Sequence, residues 1–459
     1  MAFYDGLTPT IYAAPTDQGS GDGSSEANAM DLPTAMVNAT AGDIVGLVPG
    51  VYTAVNNNTR WTPAFKFTNS GTSGNPIILV GKYDHIAYYA DTVNRCEFRT
   101  SGYSALGTAS SNCAVLGADQ NQNYLQFRNI FVDSVYVPPR AAGGSLVASG
   151  GSTGIRFRRC VVKLTEEVAT PSDNYNAIFA EDTTDLIIDN CYFYGGYGLS
   201  ANRNWSAITT YYCHNFLFEN NTVENANSGI FIKGLMIDPP YTGSTGTLRY
   251  NKILDVSDDG ITMLGVEPGT GVTAYQNLIV RAASFGIRVH GGLNSNYSYQ
   301  NHVMHHNTLV DCGVGLGMGD FTNVQASNEF RDNVVALTTS SSNKMYTTDG
   351  TNVTAAGFFA TMDYNLYSES GVSAQWSQGA STYTGIADWR TGSSRDTNAT
   401  EEAPGFTNTA TDDYTRMGSD TGSSTGGRRG CYITNTETIG ASVLETSVAG
   451  YQPPILFAG

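Results

Sequence analysis

The sequence predicts an all-β chain wound as a single-stranded parallel β-helix of roughly a dozen coils, and three observations carry that prediction. An Asn or Cys followed by alternating apolar residues recurs about every thirty residues. A Gly-led alternating stretch follows six to nine residues after most of these recurrences. Charged residues make up only 14% of the 459-residue chain, with 51 Gly among abundant Ser, Thr and Asn. That composition argues against a helical bundle or coiled coil, which needs long charged and apolar heptads.

The first recurrence runs through Asn129 (RNIF), Cys160 (RCVV), Cys191 (NCYF), Asn221 (NNTV), Asn251 (YNKI), Asn277 (QNLI), Asn307 (HNTL) and Asn333 (DNVV), spaced 31, 31, 30, 30, 26, 30 and 26 residues. The flanking pairs Leu186/Ile188 and Phe216/Phe218 alternate with polar residues, the period of a half-buried strand. The second recurrence is SGIFIKG (228–234), DGITMLG (259–265), FGIRVHG (285–291) and CGVGLGMG (312–319). Each repeat therefore carries at least two short strands. Stacked like on like, they bury faces that one repeat cannot bury alone, in a rod about 55–60 Å long. Equivalent Asn residues then hydrogen-bond up the stack while tolerating left-handed backbone angles. Cys160 and Cys191 share this ladder on adjacent coils, where parallel Cβ vectors stand too far apart for a disulfide and predict stacked thiols. The seven cysteines, an odd number without metal-binding spacing, read as buried small hydrophobes.

Earlier coils fall at GDIVGLVPGVYT (42–53), NPIILVGKY (75–83) and Cys96 to Arg99. This divides the chain into an N-terminal arm and cap (1–40), the β-helix (41–370) and a closing region (371–459). Gly/Pro/Ser-rich stretches at 138–154, 239–246 and 338–343 are expected to project as loops.

A formal charge of -17 repels phosphate backbones and anionic lipid heads, which argues against nucleic-acid partners. No apolar run is long enough for membrane insertion. The start, MAFYDGLTPTIY, lacks the layout of a secretory signal.

The stretches GSGDGSSEANAMDLPTAMVNATAGDIVGLVPGVYT (19–53) and GTSGNPIILVG (71–81) resemble the opening of right-handed parallel β-helix proteins of the pectate-lyase type. MDYNLY (362–367), TGIADWR (384–390) and EEAPGFTNTATDDYTRMGSD (401–420) resemble the region that closes them. The resemblance implies a right-handed solenoid with a long surface suited to an extended polymer, usually a glycan. The superfamily includes polysaccharide lyases, galacturonases and phage tailspikes, so the fold does not fix the chemistry.

Strand alternation turns Ile287 and Val289 inward and Arg288 and His290 outward. Aligning coils by their Gly puts Ser200, Phe231, Thr262, Arg288 and Gly315 in one outer column and Asn202, Lys233, Leu264, His290 and Gly317 in the next. A uronate lyase needs a cation to neutralise the carboxylate, a base for the C5 proton and an acid for the leaving oxygen. Lys233, Arg288 and His290 are the candidates. Asn202, Trp205, Phe231, Tyr241 and Tyr297 are candidate sugar contacts, the aromatics by stacking. Asp258 and Asp259 (SDDGI) resemble the paired carboxylates of galacturonases, but also ordinary turn chemistry before a Gly-led strand. His302, His305 and His306 have helical rather than strand spacing, and His305 and His306 are expected on opposite faces, so no metal site is assigned; a Ca²⁺ requirement stays open.

Two functions follow. The first is a phage virion surface protein, a head-decoration or tailspike-like subunit contacting surface polysaccharide or other virion proteins, with a homotrimer open. The alternative is a secreted, extracellular polysaccharide lyase or glycoside hydrolase acting on an acidic glycan.

Overall fold

The computed structural model describes residues 3–55, 62–84, 93–101, 114–133, 143–148, 150–164, 175–197, 206–234, 244–264, 271–290, 298–299, 301–319, 323–324, 327–337, 344–349, 359–369, 374–408, 413–416 and 429–430. Three sheets of 13, 12 and 12 strands run the length of the molecule, and each coil gives one strand to each sheet over most of it. Pairing between coils is parallel and in register, as in Val161↔Tyr192 and Tyr192↔Thr222 of the second sheet. This is the predicted parallel solenoid, and the strand numbers agree with about a dozen coils.

The stretch around each ladder position is two strands rather than one, such as Phe216–Glu219 and Thr222–Glu224. A left-handed residue breaks them apart: Arg159, Asn190, Asn220, Tyr250, Gln276, His306, Asp332 and Tyr364 have φ between 52 and 58°. Positive φ therefore falls one residue before the ladder, and side chains as large as Arg and Tyr adopt it. Asn129 is corrected on this point, because it is itself the left-handed residue (φ 52°). Ile130 holds the rung, its carbonyl accepting the Val161 N–H as the Cys160 carbonyl accepts that of Tyr192.

The rungs run Ile130, Cys160, Cys191, Asn221, Asn251, Asn277, Asn307, Asn333, Asn365 and Asp396. From Asn221 onward each Nδ2 donates to the next Oδ1, at 3.0, 2.9, 2.9, 3.0, 3.2 and finally 2.8 Å onto Asp396. The other Nδ2 proton meets a carbonyl inside the coil, as Asn251 meets Phe218 O at 2.9 Å. From Cys191 through Asn333 the rung's backbone N–H donates to the next rung's Oδ1, as Asn277 does to Asn307 at 3.1 Å. Buried amides are thus fully satisfied, which burial demands. Cys191 copies the pattern weakly, its thiol directed at Phe157 O at 3.5 Å and its N–H bound to Asn221 Oδ1 at 3.0 Å. Cys96, Cys160, Cys191, Cys213 and Cys312 carry buried thiols, and Cys160 and Cys191 are stacked thiols as expected. Cys113 and Cys431 lie outside the described residues.

Inward positions form one continuous core along the rod, including the stacked rings of Phe127 and Phe157 at 5.3 Å. Helix α1 (Leu32–Asn38) packs at one end, its first turn capped by the Asp31 carboxylate on Thr34 N. At the other end the third sheet closes in an antiparallel hairpin, Gln375–Gln378 with Ser381–Thr384, beside α2 (Ile386–Ser393) and its buried Trp389. The stretch 138–154 is not purely a loop: Gly143–Ala148 is a strand of the third sheet, hidden in the sequence by its Gly-Gly-Ser start. Among the described residues no helix is long and apolar enough to cross a membrane.

Candidate functional site

The third sheet carries the candidate residues. Its successive strands include Tyr175–Glu181, Ser206–Tyr211, Ser228–Lys233, Ile261–Leu264, Phe285–His290, Val314–Gly319 and Lys344–Asp349. Ile230, Ile232, Ile261, Met263, Ile287 and Val289 fill the core, so the alternate positions form the outer face. One outer column reads Phe179, Thr209, Phe231, Thr262, Arg288 and Gly317. The neighbouring column reads Glu181, Tyr211, Lys233, Leu264, His290 and Gly319.

Phe231, Thr262 and Arg288 share a column as the Gly alignment predicts, and so do Lys233, Leu264 and His290. On either side the alignment slips. Thr209 and Tyr211 hold the register positions given to Ser200 and Asn202, because Ser206–Tyr211 has no glycine to mark it. Gly317 and Gly319, not Gly315 and Gly317, stand beside Arg288 and His290. Nor does Gly317 leave open space. A Cβ there would collide with the Phe285 ring, which lies across it.

Lys233 is half-buried, and its ammonium donates to the Tyr211 hydroxyl at 3.1 Å while sitting 4.7 Å from the Tyr211 ring centre. The Phe179 ring packs on Tyr211 at 5.2 Å and fixes it from the preceding coil. Among the described residues Lys233 has no ion pair, so burial alone acts on it and lowers its pKa below the usual lysine value. Lys233 and His290 are two strand spacings apart in their column, about 9.6 Å between backbones; His290 is placed by backbone register only.

Arg288 is 4% exposed, with its guanidinium 4.6 Å from the Phe285 ring centre. Phe231 is also buried and lies beside Lys233 rather than presenting a free ring face. Asn202, Trp205, Tyr241 and Tyr297 lie outside the described residues. Below the pair a polar cluster is tied together by Thr209 Oγ1 donating to Asn176 Oδ1 at 2.6 Å, with Ser206 Oγ 3.3 Å from the same oxygen.

Asp259 is buried, and its carboxylate accepts from Thr262 Oγ1 at 2.8 Å and from the Phe285 N–H at 3.3 Å. That is the turn chemistry read from SDDGI. His302 is buried in the core, its Nδ1 accepting the Val272 N–H, and burial pushes its pKa down to about 4. His305 stacks on Tyr275 at 5.1 Å. His305 and His306 do not diverge as expected: their Nδ1 atoms are 2.8 Å apart, because His306 is the left-handed residue of its turn and swings back. Among the described residues no three His, Cys, Asp or Glu side chains gather to hold a metal ion.

The sequence offers Tyr211 as an aromatic beside a loop and Glu181 as an isolated carboxylate, but does not place either in the Lys233 column. The Ser206–Tyr211 strand, whose Ile208 and Thr210 alternate with Thr209 and Tyr211, has no leading Gly to set that register.

A right-handed β-helix region profile matches residues 92–303. The chain is 28% identical over 136 residues to "Probable endopolygalacturonase D" of Neosartorya fischeri, covering 28% of this chain and 26% of that protein. It thus spans about a quarter of the length of that curated relative. Among solved structures it resembles a rhamnogalacturonan lyase with TM-score 0.52 at 14% identity, over 87% of this chain and 91% of that one. It also resembles pectate lyase Pel9A with TM-score 0.49 at 15% identity, over 95% and 92%. The fold is a right-handed parallel β-helix.

Proposed function

We propose that this protein is a polysaccharide lyase that binds an acidic, uronate-containing glycan along the outer face of the third sheet and cleaves it by β-elimination. The observation that carries the reading is Lys233, half-buried, without an ion pair among the described residues, and hydrogen-bonded to a tyrosine hydroxyl. A lysine whose pKa is lowered by desolvation spends more time neutral, and neutral lysine accepts a proton. Lys233 takes the C5 proton, and Arg288 and His290 neutralise the uronate carboxylate and protonate the leaving oxygen. Because Arg288 is covered, the Phe285 ring shifts when substrate binds.

The endopolygalacturonase relative favours hydrolysis as a second reading. Hydrolysis needs two carboxyl groups about 5–9.5 Å apart across the bond, whereas Asp259 is committed to Thr262 and Phe285. The printed names of the relatives describe carbohydrate-degrading enzymes, which supports the enzyme over a head-decoration or tailspike-like virion subunit. An extracellular location accompanies this reading, and the partner is the polysaccharide itself.

The test is incubation with a panel of acidic and neutral polysaccharides, reading both reducing ends and the ultraviolet absorbance of unsaturated uronate. Both signals, lost in Lys233→Ala, are expected. Reducing ends without unsaturation would replace the lyase by a hydrolase; neither signal from folded protein would return the virion reading to the front.

A further inference from the structure

On the first sheet, a different face from Lys233, four of the eighteen arginines gather on two adjacent coils and the turn beside them. Arg128 ends the strand Leu125–Arg128; Arg156 and Arg158 flank the strand Arg156–Arg158 next to it; Arg159 is the left-handed residue that follows. In a chain of charge -17 such a gathering needs counter-charge. Arg156 has its own, a two-point bond to Asp189 at 2.7 and 2.9 Å. The other three turn toward Asp5.

Asp5 belongs to the N-terminal segment Phe3–Gly6, which lies over this face. Its carboxylate is 3.1 Å from Arg128 Nη1, 2.8 Å from Arg159 Nη1 and 3.6 Å from Arg158 Nε. Two features distinguish this from an ordinary ion-pair clasp. Donors outnumber acceptors, since the Nε atoms of Arg158 and Arg159 are buried with no hydrogen-bond acceptor. The segment is also strained, because Tyr4 and Asp5 hold φ of 53 and 57° in succession, a region where side chains cost energy. The segment is anchored beside Asp5 by Tyr4, which is buried against Ile78 and Val80 and bonded through its N–H to Lys82 O at 2.9 Å and its Oη to Glu26 at 2.8 Å, so it is the Asp5 side chain and the turn around it that must give way. The guanidinium-bearing side chains are 15 to 30% exposed, so an external group can reach them.

We infer that Arg128, Arg158 and Arg159 form a second anion-binding site that the chain's own Asp5 occupies as an internal stand-in, and that a sulfate ester or uronate carboxylate of an acidic glycan displaces it. With Asp5 withdrawn, the acidic groups paired to the four guanidiniums among the described residues are Asp189 and Asp84, two charges short of balance. An oxyanion with three or four oxygens fits the donor surplus better than a carboxylate. The site anchors a polymer away from the third sheet. The choice of a glycan as carrier rests on the acidic-glycan reading above, while the anion site does not.

The test compares the native protein, Asp5→Asn and Asp5→Asn/Arg158→Ala/Arg159→Ala for binding heparin, polygalacturonate and inorganic sulfate, all in the Lys233→Ala background so that cleavage cannot interfere. Removing an internal competitor raises apparent affinity by the reciprocal of the free fraction, here expected at about tenfold or more. That gain should vanish in the triple variant. Gain with the polymers but not sulfate assigns the site to glycan; gain with sulfate as well assigns it to the anion group itself. No gain in Asp5→Asn, or an equal gain in the triple variant, overturns the inference and leaves a structural clasp. Should Asp5→Asn fold poorly, the native chain still decides: heparin should speed amide exchange at Tyr4 as the turn around Asp5 gives way, and unchanged exchange under saturating heparin overturns it. Because none of these readings requires catalysis, a failed lyase assay leaves them intact.

Discussion

Two columns of this solenoid are built by the same rule, one residue per coil, yet they obey different constraints. The turn between the first and second sheets repeats one residue type, Asn from 221 through 365. The outer column of the third sheet changes at every coil, through Glu181, Tyr211, Lys233, Leu264, His290 and Gly319. The turn is sealed from water, so every polar atom must find its partner in the neighbouring coil, and only a repeated donor-acceptor group achieves that. The outer column answers to whatever lies against it. Uniformity along the rod marks structure, and variation marks a face released from that constraint, the one on which the proposed glycan site is placed.

The comparison can be broken most visibly at Lys233. Lys233→Ala and Lys233→Arg should each lower kcat by about 10²–10⁴-fold on a cleavable glycan while moving the unfolding midpoint little. Under the proposed lyase reading, the pH–rate profile of the native protein should rise on the acid side as Lys233 loses its proton below the usual lysine range. A large stability loss with unchanged kcat would make Lys233 a structural residue.

Asn277→Leu should behave in the opposite way. It strands the Asn251 amide and backbone N–H and the Leu248 carbonyl, at about 3–5 kcal/mol from the usual cost of buried unsatisfied groups. Denaturant unfolding reads it, and kcat of the folded fraction should hold.

Asp396 ends the ladder and accepts from Asn365, Tyr367 and Trp389. Burial pushes its carboxyl up to about 6. A carboxyl whose folded pKa is raised contributes stability that is full below the unfolded value and is lost as pH rises through the folded one. That contribution amounts to about 3 kcal/mol. The stability advantage of the native chain over Asp396→Asn should therefore shrink between about pH 4 and about pH 7; a gap independent of pH would mean that the three donors, not burial, govern the group.

Smaller still, Cys160→Ala should cost about 1–2 kcal/mol, mainly the lost packing of a small side chain. If it matched Asn277→Leu, thiol and amide rungs would be equivalent and the contrast between uniform and varied columns would weaken.

Much of the fold was legible because ladder residues recur at fixed spacing and the apolar alternation around them is unambiguous. The reading failed where one residue shifts meaning. Asn129 looks like a rung, but the turn it sits in places it one step earlier, and Ile130 gives no polar signal. Asn365 went unnoticed because it lies 32 residues on, within the MDYNLY stretch that resembles the closing region, and Asp396 because a carboxylate breaks the Asn/Cys pattern. On the outer face, glycine-led strands located Arg288 and Lys233, while Tyr211, on a strand without glycine, was legible only as an aromatic beside a loop and not as the neighbour of Lys233. The arginine group was hidden for another reason: its partner Asp5 lies 123 and 154 residues from Arg128 and Arg159, a separation no local pattern spans.

The amide ladder also has a direction. From Asn221 each side-chain amide donates a hydrogen bond toward the C-terminal end, and Asp396, which only accepts, receives the last one. A ladder finished in this way presents no idle donor to a second molecule, and the hairpin beside it closes the third sheet with an antiparallel strand. Open sheet ends invite copies to stack into fibres. Among the described residues the last coil thus ends one ladder on an acceptor and one sheet on an antiparallel strand, so tandem duplication of coils would keep both endings only if the new coils were inserted ahead of Asp396.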